Sequence, residues 1–197
     1  MPVFEALASD LQRLDAASRR RRLMPRAGTD FSSNDYLALA GDPALAVAVA
    51  EAVARGVPAG AGGSRLLRGN HPEHEALEAE AASFFGAESA LWFSTGYAAN
   101  SAIVSTLPQR GDLVVYDDLI HASVHEGLRL TRTETAAASH NDVDAFADAI
   151  AAWRGRGGKG RVWIAVESLY SMDGDRAPLA DLAALAEAND AVLVIDE

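Results

Sequence analysis

The chain closes on the apolar run Ala191–Ile195, followed by two carboxylates, Asp196 and Glu197. A short, continuous run of apolar β-formers is what a strand buried on both faces of a parallel sheet looks like. Ligands of open α/β sheets sit just beyond the carboxyl ends of such strands. Asp196 therefore stands where a carboxylate could meet a cationic ring nitrogen or a metal, with helix capping as its plain alternative. Three further stretches put reactive side chains at comparable places. In "WFSTGYAAN", Ser94, Thr95, Gly96 and Tyr97 form a strand-to-helix turn, whose free amides and helix dipole suit a phosphate; an ordinary hydroxyl-capped turn would look the same. In "YDDLIHASVHEG", His121 follows a strand and could stack on an aromatic ligand or exchange protons near neutral pH, or simply cap a helix. In "VESLYSMDGDRAPL", Glu167, Ser171, Asp173 and Asp175 crowd one loop.

Several familiar chemistries are missing their signatures. "DGD" resembles part of a calcium loop, but the remaining ligand positions are absent. His71 and His74 are three residues apart, whereas zinc helices use four-apart pairs flanking a glutamate, and Pro72 makes His71 a helix cap; no metal is expected. The Gly-x-Ser-x-Gly elbow of a Ser/His/Asp hydrolase is absent. The glycine-rich "GAGGSRLLRG" lacks the Gly-Lys-Ser/Thr ending of a phosphate loop.

The elements that must hold these residues are legible from periodicity. Residues 4–23 read as an amphipathic helix, with Phe4, Leu7, Leu11 and Leu14 at three- and four-residue spacing, ending in Arg19–Arg22. Asp42 and Pro43 open an alanine-rich helix to Arg55, and the glycine-dense segment after it reads as a loop. His71 to Phe85 is a helix closed by Gly86. From there strands and helices alternate. Strands are expected at 89–94, 112–117 and 161–167, with a weak one in "RTETAAA" and the last in "AVLVI". Such alternation predicts βαβ units and a mainly parallel sheet with helices on both faces.

Composition narrows the partners. Of 197 residues, 28 are acidic and 17 basic, a formal charge of −11, which disfavours nucleic acid and anionic membranes. There is no cysteine, so thiol chemistry and disulfides are excluded. No apolar run approaches the roughly 20 residues that span a bilayer, and the charged start is unlike a signal peptide; the expected location is cytoplasmic. Lys159 is the single lysine, which restricts amine chemistry to one candidate.

Taken in order, "FSSNDYLAL", "GAGGSRLLRGNHPEHEALE", "FSTGYAANSAI", "DDLIHASVHEG", "SHND", "ESLYSMDGDRAPL" and "VLVIDE" resemble the α-oxoamine synthases, pyridoxal-phosphate (PLP) enzymes. The resemblance runs from about Ser9 to the last residue and is strongest to the biotin-pathway branch of the family. It implies the aspartate-aminotransferase-like large domain (fold type I), an α/β fold truncated at Glu197. Residues 1–45 would be an N-terminal helix and substrate-access segment, and 46–197 the first part of the PLP-binding domain. It implies that Thr95, Gly96 and Tyr97 receive the cofactor phosphate and that His121 stacks on the pyridine ring close to the substrate. Ser171 would bond the cofactor, Glu167 would lie on the same strand end, and Asp196 would pair with the protonated ring nitrogen. Arg20 or Arg21 would approach the acyl substrate's carboxylate, unless that run is only a solvated face, and Asn34 and Tyr36 would fall near the active site. The implied reaction is decarboxylative condensation of L-alanine with a pimeloyl thioester, in a homodimer. Relatives use glycine or serine instead.

The resemblance also implies a Schiff-base lysine several tens of residues beyond Asp196, which this chain does not contain. Lys159, in the loop "GRGGKGR", is not expected to substitute. The chain is accordingly expected to be an inactive fragment of a longer enzyme. A lysine-less partner subunit and an unrelated nucleotide-binding domain are the competing readings.

Overall fold

The computed structural model describes residues 3–25 and 27–197. Its contacts divide it into two compact units, Met1–Asn70 and His71–Glu197.

In the first unit, α1 (Val3–Ala16) is shorter than its periodicity predicts. Ser18 takes a left-handed conformation, φ 54°, and the Arg19 amide returns to the Leu14 carbonyl. Arg20 then folds back onto Asp15 at 2.6 Å. Residues 17–23 consequently lie outside the helix, and the expected helix over 4–23 is corrected to Val3–Ala16. A turn built on Asp30 and Asp35 follows, Asp35 accepting from the amides of Leu39 and Ala40. The second helix, α2 (Pro43–Ala54), starts as its sequence demands: Asp42 accepts from the Ala44 amide at 2.8 Å and proline takes the first helical position. A single wide turn, Arg65–Gly69, closes the glycine-rich segment. Gly69 is obligatory there, since a Cβ would sit 2.0 Å from the Gly63 carbonyl oxygen.

The second unit opens with α3 (Pro72–Phe85). His71 caps it, its Nδ1 accepting from the Glu73 amide, while the His74 ring accepts from the His71 amide. The two histidines thus serve a reciprocal cap. The chain continues through α4 (Gly96–Thr106), β1 (Leu113–Asp117), α5 (Ala122–Leu130), β2 (Glu134–Ala138), α6 (Val143–Gly155), β3 (Val162–Glu167), α7 (Leu179–Ala188) and β4 (Val192–Asp196). All pairings are parallel, in the order β2-β1-β3-β4. Alternate side chains of each strand feed two separate cores. On one face Leu113, Val115, Ile164 and Val166 pack with Phe146, Ile150 and Trp153 of α6 and Leu182 of α7. On the other, Val114 and Ala165 pack with Val104 of α4 and Val124 of α5. Helices thus cover both faces, as the alternation predicts.

Two expectations fail. Residues 89–94 are not a strand: the Trp92 amide bonds to Glu78 of α3, and Leu91 and Trp92 are exposed. Apolarity alone did not make a strand where no described strand pairs with it. Nor is β4 buried on both faces. It pairs with β3 alone among the described strands, and Val192, Leu193 and Val194 are only half-buried.

Tight packing of α4 on α5 rests on Gly127, where a Cβ would lie 2.8 Å from Val104 Cβ and 3.0 Å from the Ser101 carbonyl oxygen. Gly127→Ala is expected to destabilise the chain by about 1–3 kcal/mol, read as a lower midpoint in urea unfolding.

Candidate active site

Parallel register and the two-residue strand period decide which side chains meet at the carboxyl edge. Glu167 ends β3 directly opposite Asp196 at the end of β4. Both follow in alternation from Ala165 and Val194, so both point to the face covered by α4 and α5. Neighbouring strands lie about 4.8 Å apart, so two carboxylates share one small region. Glu167 is 5% exposed. Burial is the main force pushing its carboxyl above the ordinary range, the nearby Asp196 charge adds to this, and the backbone amides of His121 and Ser171 only partly offset them.

The helices supply the surroundings. Asn100 of α4 donates from Nδ2 to Asp196 Oδ2 at 2.8 Å and to the hydroxyl of fully buried Ser123 at 3.1 Å. It thereby fixes the Asp196 carboxylate from α4. His121 is the N-cap of α5; its Nδ1 lies 2.7 Å from Ser123 Oγ and accepts from the Ser123 amide at 3.2 Å. Nδ1 is therefore the accepting nitrogen, while the ring itself remains exposed. Tyr97 approaches it edge-on, with centroids 6.4 Å apart. Thr95 caps α4, its hydroxyl accepting from the Ala98 amide at 3.0 Å. Helix geometry leaves the Gly96 and Tyr97 amides without an intrahelical carbonyl. A Cβ on Gly96 would meet nothing within 4 Å, so packing does not explain this glycine, and the bare backbone is open to an anion.

Of the residues singled out in the sequence, Glu167, Asp196, His121 and the backbone of Ser171 come together, with Tyr97 beside His121. Thr95 and Gly96 start the helix that carries Asn100 four residues on. Arg20, Arg21 and Asn34 belong to the other unit. Arg20 is paired with Asp15, Arg21 has no ion pair among the described residues, and Asn34 is exposed in the Asp30–Asp35 turn. Lys159 lies before β3, at the opposite edge of the sheet, the six-residue strand accounting for about 20 Å at 3.3 Å per residue. It lines a cavity of about 550 Å³ with Arg110, Glu134, Trp153 and Arg156, remote from both carboxylates.

Asn100 and Ser123 went unnoticed in the sequence; a lone amide on a small-residue helix was the available signal. A second cluster was missed as well, on the α6/α7 side of the same edge. His140, just after β2, contacts Asp117 Oδ1 through Nδ1 at 2.8 Å and Asp175 Oδ2 through Nε2 at 2.7 Å. Asp117 is fully buried and also accepts from the amides of Leu119 and Asn141. Asp118 offers a further oxygen within 4.8 Å of this group, but both His140 nitrogens are already engaged by carboxylates, which does not suit a metal ligand.

The carboxylate pair can be tested for a cationic ring. Glu167 and Asp196 have no Lys or Arg partner among the described residues; their donors are the Asn100 amide and backbone N–H groups, and the His121 ring is the one nearby group whose charge favours ionised Glu167. Two adjoining carboxylates with no Lys or Arg partner among the described residues favour a positive group beside them, and a protonated pyridine nitrogen would meet that need. The Thr95-capped turn with its free amides and the exposed His121 imidazole adjoin the same edge, so the residues present fit PLP.

The sequence model of the family described as aminotransferase class I and II matches residues 26–197. The 8-amino-7-oxononanoate synthase of Azoarcus sp. is 43% identical over 208 residues, covering 99% of this chain and 52% of that protein. The structure of Sphingomonas wittichii serine palmitoyltransferase superposes with a TM-score of 0.83 at 28% identity, over 100% of this chain and 52% of the other. A variant of serine palmitoyltransferase from S. paucimobilis, with bound PLP-myriocin aldimine, gives 0.82 at 28% identity, over 98% and 53%. The chain spans about half the length of the curated relatives it matches.

Because Glu167 binds its proton more tightly folded than unfolded, its contribution to stability is complete below about pH 4.3 and is lost as pH rises through the raised value. Glu167→Gln is expected to raise the urea midpoint at pH 7 and to leave it nearly unchanged at pH 4. Asp196→Asn is expected to lower the Glu167 pKa, read by carboxyl-carbon NMR titration.

Proposed function

The chain belongs to the class I and II aminotransferase family, and from that premise we propose that His71–Glu197 carries the PLP-holding part of an α-oxoamine synthase. The reaction proposed for the whole protein is the decarboxylative joining of L-alanine to a pimeloyl thioester, forming 8-amino-7-oxononanoate for biotin synthesis. One observation carries the reading: Glu167 and Asp196, side by side on one sheet face, with neutral donors around them. Identity of 40–44% to the curated proteins of that name supports the alanine-using branch, while among solved structures serine palmitoyltransferases match at 28–34% and an 8-amino-7-oxononanoate synthase of Francisella tularensis at 26%. A serine- or glycine-using relative is the second reading, supported by those superpositions.

Bound there, PLP supplies a cationic ring that draws electrons from a bond at the amino acid's α-carbon. Everything else falls to the chain. Asp196 keeps a proton on the ring nitrogen, and Asn100 holds the Asp196 carboxylate in place. The turn Thr95–Tyr97 binds the phosphate through its free amides and the helix dipole. His121, with Nδ1 committed to Ser123, offers its ring face for stacking and its Nε2 to substrate. Glu167 fixes the amides of His121 and Ser171, keeping both residues at the strand edge. Arg20 or Arg21 is assigned to the acyl substrate's carboxylate, and Asn34 to the substrate-access segment. The proposed assembly is a homodimer, a reading supported by the exposure of Phe84, Phe85 and Trp92 on the second unit.

Titration of the chain with PLP, followed by cofactor fluorescence, tests the reading. A charge-assisted bond is worth about 1.5–3 kcal/mol, so Asp196→Asn is expected to weaken PLP about 10- to 100-fold. Unchanged affinity in that variant, or preference for a dinucleotide over PLP, would overturn it.

A further inference from the structure

We propose that His140 is a positioning residue, an imidazolium clamped between Asp117 and Asp175 that anchors the hairpin carrying Ser171 to the ends of β1 and β2. The role it serves rests on the PLP-holding site proposed above, but the geometry stands without it. Carboxylate oxygens accept hydrogen bonds and do not donate them, and a neutral imidazole has only one N–H. His140 presents Nδ1 to Asp117 at 2.8 Å and Nε2 to Asp175 at 2.7 Å. Asn141 Nδ2 also lies 3.2 Å from Nε2, but it donates to Asp175 at 2.6 Å, and the doubly protonated ring is the form that satisfies both carboxylates. His140 is therefore held as a cation by its two acidic partners.

What the clamp holds is the segment after β3. Leu169 and Arg176 face each other as an antiparallel bridge. The Tyr170 amide donates to the Asp175 carbonyl at 2.9 Å, and the Gly174 amide to the Tyr170 carbonyl at 2.8 Å. These bonds make a small hairpin with Ser171, Met172 and Asp173 exposed at its tip. Its rising arm carries the Ser171 amide onto Glu167. Its returning arm is held by Asp175, which accepts from His140 and, at 2.6 Å, from Asn141 Nδ2. The Tyr170 ring stands edge-on to the imidazole, with centroids 4.4 Å apart.

The charge balance of the cluster agrees. Facing His140 are Asp117 and Asp118 from the end of β1, and Asp175 and Tyr170 from the hairpin. Burial alone would disfavour the charged ring, but the bonds and charges of Asp117 and Asp175 outweigh it and raise the His140 pKa. The Tyr170 hydroxyl is buried beside Asp117, near enough to feel its charge though not aligned for a full hydrogen bond; burial first, and that charge second, push its pKa well up. Three of the four buried side-chain polar atoms without a partner among the described residues, on Asn141, Tyr170 and Asp175, lie in this cluster.

The test uses the full chain, isotope-labelled, without PLP. Long-range nitrogen–proton spectra of the imidazoles at pH 8 should show both His140 nitrogens protonated, well above the ordinary histidine range near ~6.5. A single protonated nitrogen at that pH overturns the assignment. In His140→Gln and, more gently, Asp175→Asn, the Ser171 amide should exchange with solvent at least about tenfold faster, a change of about 1.4 kcal/mol, while Val115 in the core is unchanged. No change at Ser171, or an equal rise at Val115, overturns it. Since neither readout involves PLP, failure of PLP binding counts against the function proposed above and not against the clamp.

Discussion

The parallel register of β3 on β4 is the constraint on which the rest of the site depends. With Glu167 opposite Asp196 and a two-residue strand period, both carboxylates are forced onto one face and one edge. A register slip of one residue would send Asp196 to the other face. The surrounding choices follow from the charge so placed. Asn100 and the backbone amides of His121 and Ser171 are neutral donors, so they orient the carboxylates without cancelling them. No Lys or Arg among the described residues pairs with either carboxylate, which is the feature that supports the proposed cationic ligand.

The two faces of the same sheet edge treat acidic groups in opposite ways. On the α4/α5 side burial and the neighbouring Asp196 charge make Glu167 reluctant to ionise. On the α6/α7 side Asp117 is buried more completely, yet burial is outweighed by bonds from the Asn141 amide, His140 and the Leu119 amide, and its pKa is lowered. One edge is thus open and chemically needy, the other closed and structural. The hairpin 169–176 joins them, with Ser171 on one side and Asp175 on the other.

Much of this was readable in the residues. Helix starts at Asp42, His71, Thr95, His121 and Asp142 all coincide with side-chain caps, because a cap is a local interaction that needs only its own turn. The alternation of β1 to β4 with α5, α6 and α7 was legible for a similar reason, since apolar period and flanking breakers lie within one segment. The failures came where a distant partner decides. Residues 89–94 have strand composition and no described strand beside them. The helix expected to reach residue 23 ended where Ser18 turned left-handed and Arg20 closed on Asp15.

By itself the sequence determined which residues lie at strand ends and helix starts: Thr95, His121, Glu167 and Asp196, together with the motif order that ties them to a family. What only the tertiary structure decided was which strand ends are neighbours. Strand order β2-β1-β3-β4 crosses the chain order. It brings Asn100 to Asp196 across 96 positions and His140 to Asp175 across 35. No local pattern encodes such contacts, because they arise from how helices and strands pack around two cores. The bond that fixes Asp196 and the clamp that holds the Ser171 hairpin both became visible only once the sheet was assembled.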